Sequence, residues 1–305
     1  MNRFAALIAA LTLTATAAYA AEGNFEKTLA VGGAPNVSVA TGSGYVHVYS
    51  GSGNQVHVIG RVHVRPGLFD WLGGDADSRV RQIVADPPIK QAGNAITIGA
   101  DRGESSFFNN VSIDYEITTP SGTTLKAATG SGDLEIGGIE GAVTAETGSG
   151  DMKVENIGAN ARLETGSGSI HANNVHGAAT LQTGSGDLDL DLSGAGDVKA
   201  QTGSGSIRIR GVTGGLHAEA GSGNIEVTGS PTAEWRLESG SGSVAAHVGS
   251  AAKFNLNAET GSGSVHMDMP VLMQGQLNKQ HIVGTVNGGG PTLRVTTGSG
   301  NIEIR

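Results

Sequence analysis

A Gly-Ser-Gly triplet recurs along the chain at a nearly constant spacing, and no other feature constrains the fold as strongly. The triplets begin at Gly42, Gly130, Gly148, Gly166, Gly184, Gly203, Gly221, Gly240, Gly261 and Gly298. The spacing is close to uniform from Gly130 to Gly261, and we interpret the wider gap from Gly261 to Gly298 as two periods with a degenerate copy near Gly288. A fixed period this short is typical of coils that stack on one another.

Each copy alternates apolar and polar residues on both sides of the triplet. Around Gly148, for example, Val143 and Ala145 precede the triplet, and Met152 and Val154 follow it. This alternation predicts two short, half-buried strands joined by a tight turn. Because one coil cannot bury its apolar face alone, each strand must pair in parallel with its counterpart in the next repeat. The sequence therefore predicts an all-β fold, a single-stranded parallel β-solenoid (β-helix) with about 18 residues per coil and the right-handed winding of parallel crossovers.

Residues 21–125 are less regular and are expected to close the N-terminal end of the solenoid. They contain one clear copy from Val37 to Val48 and three further expected strands, at 56–65, 94–99 and 111–118. Asp75 to Ala85 is predicted to form a short helix, ended by Pro87-Pro88. The helix and its neighbouring loops would cover the first coil, whose strand edges would otherwise be open to other chains.

The segment from Met1 to Ala20 has the composition of a secretory signal. Arg3 is followed by an uncharged run from Phe4 to Thr16, and Ala18-Tyr19-Ala20 fits an A-x-A cleavage site. The run is too short and too weakly hydrophobic to span a bilayer. The predicted organisation is a signal peptide at 1–20, irregular capped coils at 21–125 and regular repeats at 126–305, the last two forming one continuous domain.

The composition limits the cellular compartments and the classes of partner that we expect. The chain has no cysteine, so neither a lipoprotein anchor nor a disulfide framework is expected. The formal net charge of −9 becomes −10 when Arg3 leaves with the signal, which argues against nucleic acid and anionic lipid as partners. We expect an exported protein of the periplasm, the cell surface or the extracellular space, with no transmembrane segment in the mature chain.

Several stretches are similar to a known family. They are Val80–Ile89, Asn94–Gly99 and Val111–Ile117, together with the repeated Thr-Gly-Ser-Gly-Asp. These residues resemble the "putative adhesin", β-strand-repeat family of bacterial exported proteins, over about residues 35–305. The resemblance implies a β-solenoid and an envelope or surface location. It implies no molecular function and brings no catalytic residues.

The residue after each triplet is small and polar. These residues are Asp133, Asp151, Ser169, Asp187, Ser206, Asn224, Ser243, Ser264 and Asn301. Calcium-binding β-roll repeats also carry a recurring Asp near glycines, but at half this period. Since Ser or Asn replaces Asp in six of the nine copies, we interpret these side chains as turn caps and expect no metal there.

Polar columns are expected on the outer faces of both sets of strands. Before the triplets, an acidic or amide column stands beside basic residues two positions earlier: Glu146, Glu164, Gln182, Gln201, Glu219, Glu238 and Glu259, with Arg162, Lys199, His217, Arg236 and Arg294. After the triplets, the column mixes both signs: Glu135, Lys153, His171, Asp189, Arg208, Glu226, Ala245, His266 and Glu303. We interpret the first set as a self-neutralising wall rather than a cation site. The second set is interpreted as a device that fixes strand register.

Three Val-His-Val triplets, centred on His47, His57 and His63, place imidazoles on the polar face of neighbouring strands. Neighbouring imidazoles could ligate zinc or copper. No spacing in the sequence fixes their geometry, and a polar strand face requires polar residues in any case. The sequence therefore predicts no metal site and no cofactor.

Apolar bulk is concentrated in two segments of the irregular part. The residues are Leu68, Phe69, Trp71 and Leu72 in one segment, and Phe107 and Phe108 in the other. Exposed together, such side chains would form a docking surface for a partner. Packing over the end of the solenoid is the competing interpretation, since that end needs a lid.

The sequence contains no recognisable catalytic constellation, and we expect no enzyme. The leading hypothesis is an exported envelope or surface scaffold, adhesin-like, that presents a solenoid wall to a protein or glycan partner or to itself. A polysaccharide lyase or hydrolase would need carboxylates and aromatic platforms grouped on adjacent coils. Ice binding would need an outward array of Thr147, Thr165, Thr183, Thr202 and Thr260, which the alternation turns inward or to the corner. A structural role in envelope stress is a further alternative.

Overall fold

The computed structural model describes residues 21–64, 75–99, 111–273 and 278–305. The predicted signal peptide lies outside these described residues. Within them the chain forms two large β-sheets and one helix. Among the described residues, no helix is long and apolar enough to cross a membrane.

The elements follow one another along the chain as short strands, with the helix in the irregular part. In chain order they are β1 (Ala21–Ala30), β2 (Asn36–Ser43), β3 (Val46–Gly51), β4 (Gln55–Val64), α1 (Asp75–Ala85), β5 (Ile89–Ala92), β6 (Ala95–Ile98), β7 (Val111–Pro120), β8 (Thr124–Ser131), β9 (Leu134–Gly137), β10 (Val143–Ser149), β11 (Met152–Ile157), β12 (Ala161–Ser167), β13 (Ile170–Val175), β14 (Ala179–Ser185), β15 (Leu188–Leu192), β16 (Val198–Ser204), β17 (Ile207–Val212), β18 (Leu216–Ser222), β19 (Ile225–Gly229), β20 (Trp235–Ser241), β21 (Val244–His247), β22 (Phe254–Ser262), β23 (Val265–Met267), β24 (Leu272–Met273), β25 (His281–Val286), β26 (Thr292–Ser299) and β27 (Ile302–Ile304).

Each repeat contributes one strand to each sheet. Sheet A has the order β1-β4-β7-β3-β9-β11-β13-β15-β17-β19-β21-β27-β23, and sheet B the order β24-β25-β22-β26-β20-β18-β16-β14-β12-β10-β8-β2-β6-β5. Between repeats the pairing is parallel: Val143 lies beside Ala161 in sheet B, and Met152 beside Ile170 in sheet A, each partner lying one period further along the chain. The predicted all-β class and the parallel pairing of repeats are confirmed. The hand of the winding stays a prediction.

The apolar side chains of both sheets form one continuous core. Sheet B contributes a buried column of Ala145, Leu163, Leu181, Ala200, Ala218, Leu237 and Ala258. The largest buried side chains are Trp235, Tyr115 and Phe254. Because every second residue of a strand faces this core, the alternation read from the sequence places the polar residues on the two outer walls.

The last glycine of each triplet turns the chain from sheet B to sheet A. Gly168, for example, has a φ of 139°. A Cβ at this position would lie 2.0 Å from the carbonyl oxygen of Gly150 in the neighbouring repeat. Both the backbone conformation and the close stacking therefore require glycine at this corner.

Antiparallel strands and the helix close the N-terminal end. β1 pairs with β4, β4 pairs with β7, and β5 pairs with β6, all antiparallel. Helix α1 has the predicted bounds and packs on β1 and β4 with Val80 and Ile83 buried. Gly23 of β1 lies under the helix, since a Cβ there would be 2.5 Å from Val80 Cγ1. The predicted helix is therefore present, and it packs on the first strands of sheet A.

Two strands of this end, β1 and β5, were not predicted from the sequence. In β1 only every fourth residue is buried, namely Ala21, Phe25 and Leu29, because Gly23 and Lys27 occupy the positions between them. The alternation of apolar and polar residues that marks a strand is therefore not visible in the sequence of β1. β5 forms a hairpin with β6 through a turn at Gly93, whose φ is 61°.

The C-terminal end differs from the predicted arrangement, and the interpretation of a degenerate repeat near Gly288 is wrong. Strand β25 runs antiparallel to β22, so the chain reverses there instead of completing a repeat. Strand β26 then returns and lies between β20 and β22, with Ser299 beside both Ser241 and Ser262. The repeat of Gly298 is therefore inserted between those of Gly240 and Gly261.

Candidate functional site

The threonines before the triplets point inward and connect neighbouring repeats. Thr147, Thr165, Thr183, Thr202 and Thr260 are all buried. The Thr183 hydroxyl donates to the carbonyl oxygen of Gly168 at 2.9 Å, and that of Thr147 donates to Gly132 at 3.1 Å. The expectation that these residues face inward is confirmed, so they form no outward threonine array of the kind that ice binding needs.

The small polar residues after the triplets also link one repeat to the next. Asp133 Oδ1 accepts the backbone N–H of Asp151 at 2.9 Å, and Asp151 Oδ1 accepts that of Ser169 at 2.8 Å. Asn224 does the same for Ser243 at 2.8 Å. These oxygens satisfy turn N–H groups of the neighbouring repeat, as their interpretation as turn caps requires.

The outer wall of sheet B pairs its own charges. Within β20, Arg236 contacts Glu238 at 2.7 Å, and within β12, Arg162 contacts Glu164. Across strands, the Gln201 amide donates to Glu219 at 2.7 Å. Glu164, Glu219 and Glu238 therefore have basic or amide partners, as the self-neutralising interpretation predicts, whereas Glu146 lies beside Glu164.

The outer wall of sheet A pairs charges between repeats. Arg208 contacts Glu226 at 3.2 Å, and Arg210 contacts Asp189 at 3.2 Å. The predicted column is present with one change of order: Glu303 lies between Ala245 and His266, because β27 is inserted between β21 and β23. Opposite charges on adjacent strands favour the observed register.

The three predicted histidines lie near carboxylates and do not converge. His57 Nε2 is 2.8 Å from Glu26, and His63 Nε2 is 3.2 Å from Asp114. His47 Nε2 is 3.8 Å from Glu135. In the part of the chain that the structure describes, no three His, Asp or Glu side chains meet in a group able to hold a metal ion.

A row of aromatic side chains projects from β3 and from Tyr45, the residue before it, and sequence reasoning missed this row. Val46 and Val48 are buried, so Tyr45, His47 and Tyr49 share the outer wall of sheet A. We call these three residues the tyrosine face. The rings of Tyr45 and His47 are stacked, with centroids 4.3 Å apart. The signal in the sequence was Tyr-Val-His-Val-Tyr, where aromatic rings occupy the polar positions of a strand.

Tyr49 lies over a glycine of the neighbouring strand. It pairs with Gly137 of β9, and a Cβ on Gly137 would lie 3.0 Å from Tyr49 Cδ1 and 3.1 Å from Cε1. The missing side chain therefore makes room for the ring against the sheet. Tyr49 is nevertheless 43% exposed, and it is the one exposed Tyr, Trp or Phe among the described residues.

Charged groups surround the Tyr49 hydroxyl. Lys153 Nζ lies 3.0 Å from Glu135 and 3.4 Å from Glu155. Partial burial and the hydrogen bond to Glu135 raise the pKa of Tyr49 to about 12. The hydrogen bonds from Lys153 and Tyr49 hold the pKa of Glu135 below its usual range. At neutral pH the phenol is protonated and the carboxyl is ionised.

The Tyr45 end of the tyrosine face is fixed by residues from the irregular part. Arg61 Nη1 donates to the Tyr45 hydroxyl at 2.7 Å, and the hydroxyl donates to Glu116 at 3.2 Å. Arg61 also contacts Glu116 at 2.9 Å, and Asp114 accepts the backbone N–H of Tyr45 at 3.1 Å. Partial burial raises the pKa of Tyr45, and Arg61 opposes this shift. Four strands, β3, β4, β7 and β9, thus contribute to this site together with β11.

The partner-binding residues predicted from the sequence cannot be placed relative to this site. They are Leu68, Phe69, Trp71, Leu72, Phe107 and Phe108, and all lie outside the described residues. Their role in docking stays a prediction.

Comparison with known proteins gives one family and several distant structures. A family model described as Toastrack DUF4097 matches residues 85–305. A "putative cell adhesion protein" from Clostridium sporogenes is 11% identical, with 93% of this chain and 98% of that chain covered and a TM-score of 0.22. A "putative adhesin" from Bacteroides fragilis is 13% identical, with 93% and 97% covered and a TM-score of 0.27. No curated protein matches.

Proposed function

The chain belongs to the Toastrack DUF4097 family, and we propose that it is a non-enzymatic, exported scaffold that binds a partner through the outer wall of sheet A. The proposed scaffold is a right-handed solenoid whose coil length equals the spacing of the triplets, and residues 21–305 form one domain. The parallel pairing of repeats supports this architecture. The signal-like composition of residues 1–20 supports export to the envelope or the cell surface.

The exposed ring of Tyr49 is the observation that carries the binding role. An aromatic side chain that is 43% exposed among charged neighbours is available to a partner. Tyrosine combines an apolar ring with a polar hydroxyl and is enriched where proteins bind others. The surrounding strands pair with both neighbours, so the site is held on a rigid support.

The lowered pKa of Glu135 argues against this carboxyl as the general acid of a polysaccharide-processing enzyme. A glycosidase needs a general acid whose pKa is raised, so that it is protonated at neutral pH. The pKa of Glu135 is instead lowered, because Lys153 and Tyr49 donate to it. Glu135 therefore stays ionised and is suited to accept hydrogen bonds from a ligand.

Binding and turnover distinguish the proposed scaffold from an enzyme. We expect the purified chain to bind an isolated bacterial envelope fraction in a saturable manner and to leave its polysaccharides at their original length. Sedimentation with the labelled chain measures the first property, and size-exclusion chromatography of the polysaccharides measures the second. Non-saturable or absent binding, or shortened polysaccharides, would contradict the proposal.

A further inference from the structure

We propose that the tyrosine face is a binding site for a neutral glycan, with the ring of Tyr49 as the platform for one sugar. This inference rests on the proposed binding role of the sheet A wall and specifies its ligand. A sugar has an apolar face of C–H groups and a rim of hydroxyls. A matching site presents a flat aromatic ring with fixed hydrogen-bonding groups around it.

The platform is held in place by its neighbours. The ring lies over Gly137, where a Cβ would approach to 3.0 Å. Its hydroxyl lies near Glu135, which is itself held by Lys153 at 3.0 Å. A ring that rests against the sheet at Gly137 loses little conformational freedom when a ligand stacks on its exposed side.

Hydrogen-bonding groups lie on the strands beside the ring. Glu135 and Glu155 supply carboxylate oxygens, and the Lys153 ammonium between them supplies donors. Just before β3, the Tyr45 hydroxyl and the Arg61 guanidinium supply another such group. Tyr45 and Tyr49 are four positions apart, which corresponds to roughly 13 Å along a strand. The tyrosine face is therefore long enough for more than one sugar unit.

The charges of this site favour a neutral ligand over an anionic one. Four carboxylates and two cations surround the tyrosine face: Asp114, Glu116, Glu135 and Glu155, with Arg61 and Lys153. Both cations already contact carboxylates. A phosphate or uronic acid would meet a surplus of negative charge, and both of these cations are already engaged. A neutral polyhydroxyl ligand can use both the donors and the acceptors.

Calorimetric titration of the purified chain with defined sugars tests the inference. The probes are maltohexaose, cellohexaose, mannohexaose and chitohexaose, with hexagalacturonate as the anionic counterpart. We expect at least one neutral hexasaccharide to bind more tightly than hexagalacturonate. Tyr49→Ala should weaken that binding roughly tenfold or more, and Tyr49→Phe, which keeps the ring, should change it less than roughly threefold.

Two further variants separate the platform from general effects on folding. Gly137→Ala keeps Tyr49 but places a Cβ under its ring, and we expect it to weaken sugar binding as well. Gln182→Ala, on the outer wall of sheet B, should leave binding unchanged. Each variant is first checked for an unchanged thermal transition.

The outcomes distinguish this inference from the proposed function. If the chain binds envelope material but none of the neutral sugars, or if it prefers hexagalacturonate, the glycan inference fails and the scaffold proposal stands. Sugar binding that Tyr49→Ala leaves intact also overturns the inference. If neither envelope material nor any sugar binds, both fail.

Discussion

At the scale of single residues, the buried threonine hydroxyls make the same hydrogen bond in one repeat after another. Each is the last inward-facing residue of its strand in sheet B. Its hydroxyl donates to a glycine carbonyl of the neighbouring repeat, as that of Thr183 does to Gly168. A buried hydrogen bond stabilises a fold modestly, but a buried group left without its partner is costly. The repeated threonine is thus explained by turn stability and needs no ligand.

Replacing one of these threonines tests this role. Thr183→Val keeps the shape of the side chain but removes its hydroxyl, so the free energy of unfolding should fall by about 1–2 kcal/mol. Thr180→Val is the matched control, because Thr180 lies on the same strand but faces outward. It should change stability by less than about 0.5 kcal/mol. Urea unfolding measures both, and equal effects of the two variants would contradict the assigned role.

At the scale of the element, the neighbouring repeat limits which residues fit in the turn between the sheets, because its backbone stacks closely against that turn. The first glycine of a triplet shows this most clearly, because its backbone conformation alone does not demand glycine. A Cβ on Gly148 would lie 2.5 Å from the carbonyl oxygen of Gly130, whereas a Cβ on Gly42 would contact nothing within 4 Å. The two glycines occupy the same place in their triplets but differ in the strand that stacks on them.

This difference predicts unequal effects of one substitution. Gly148→Ala should lower the free energy of unfolding by about 1–3 kcal/mol, because the neighbouring backbone must move. Gly42→Ala should be tolerated within about 0.5 kcal/mol. Thermal unfolding followed by circular dichroism compares them directly. A loss of stability that is as large for Gly42→Ala as for Gly148→Ala would show that stacking does not determine the requirement for glycine.

The strands of the regular repeats could be predicted from the sequence, but their spatial order at the C-terminal end could not. Within the repeats, the alternation and the triplet determine where each strand lies and which of its residues face the core. This works because each repeat packs between repeats of the same pattern. The spatial order of the coils does not follow from this local pattern. β26 pairs with both β20 and β22 through the same serine position, so local pattern does not distinguish insertion from simple succession. β1 was missed because Gly23 and Lys27 interrupt its buried face.

At the scale of the whole molecule, the two walls differ in what they offer a partner. Several outer charges of sheet B, such as Arg236 and Glu219, have partners close in sequence or in the next strand. Sheet A adds the tyrosine face at the boundary between the regular repeats and the irregular end. Its aromatic residues could be seen in the sequence, but its geometry could not, because Arg61, Asp114 and Glu116 reach it from strands that leave the repeat pattern.

Hydroxyl-radical footprinting of the purified chain, with and without a saturating envelope fraction, tests the proposed binding wall most directly. Tyr49 is exposed on sheet A, and Leu272, which is 78% exposed near the C-terminal end, serves as the internal control. We predict that bound envelope material protects Tyr49 from oxidation while Leu272 reacts as before. Oxidation of Tyr49 that is unchanged in the saturated sample would contradict a binding role for the tyrosine face.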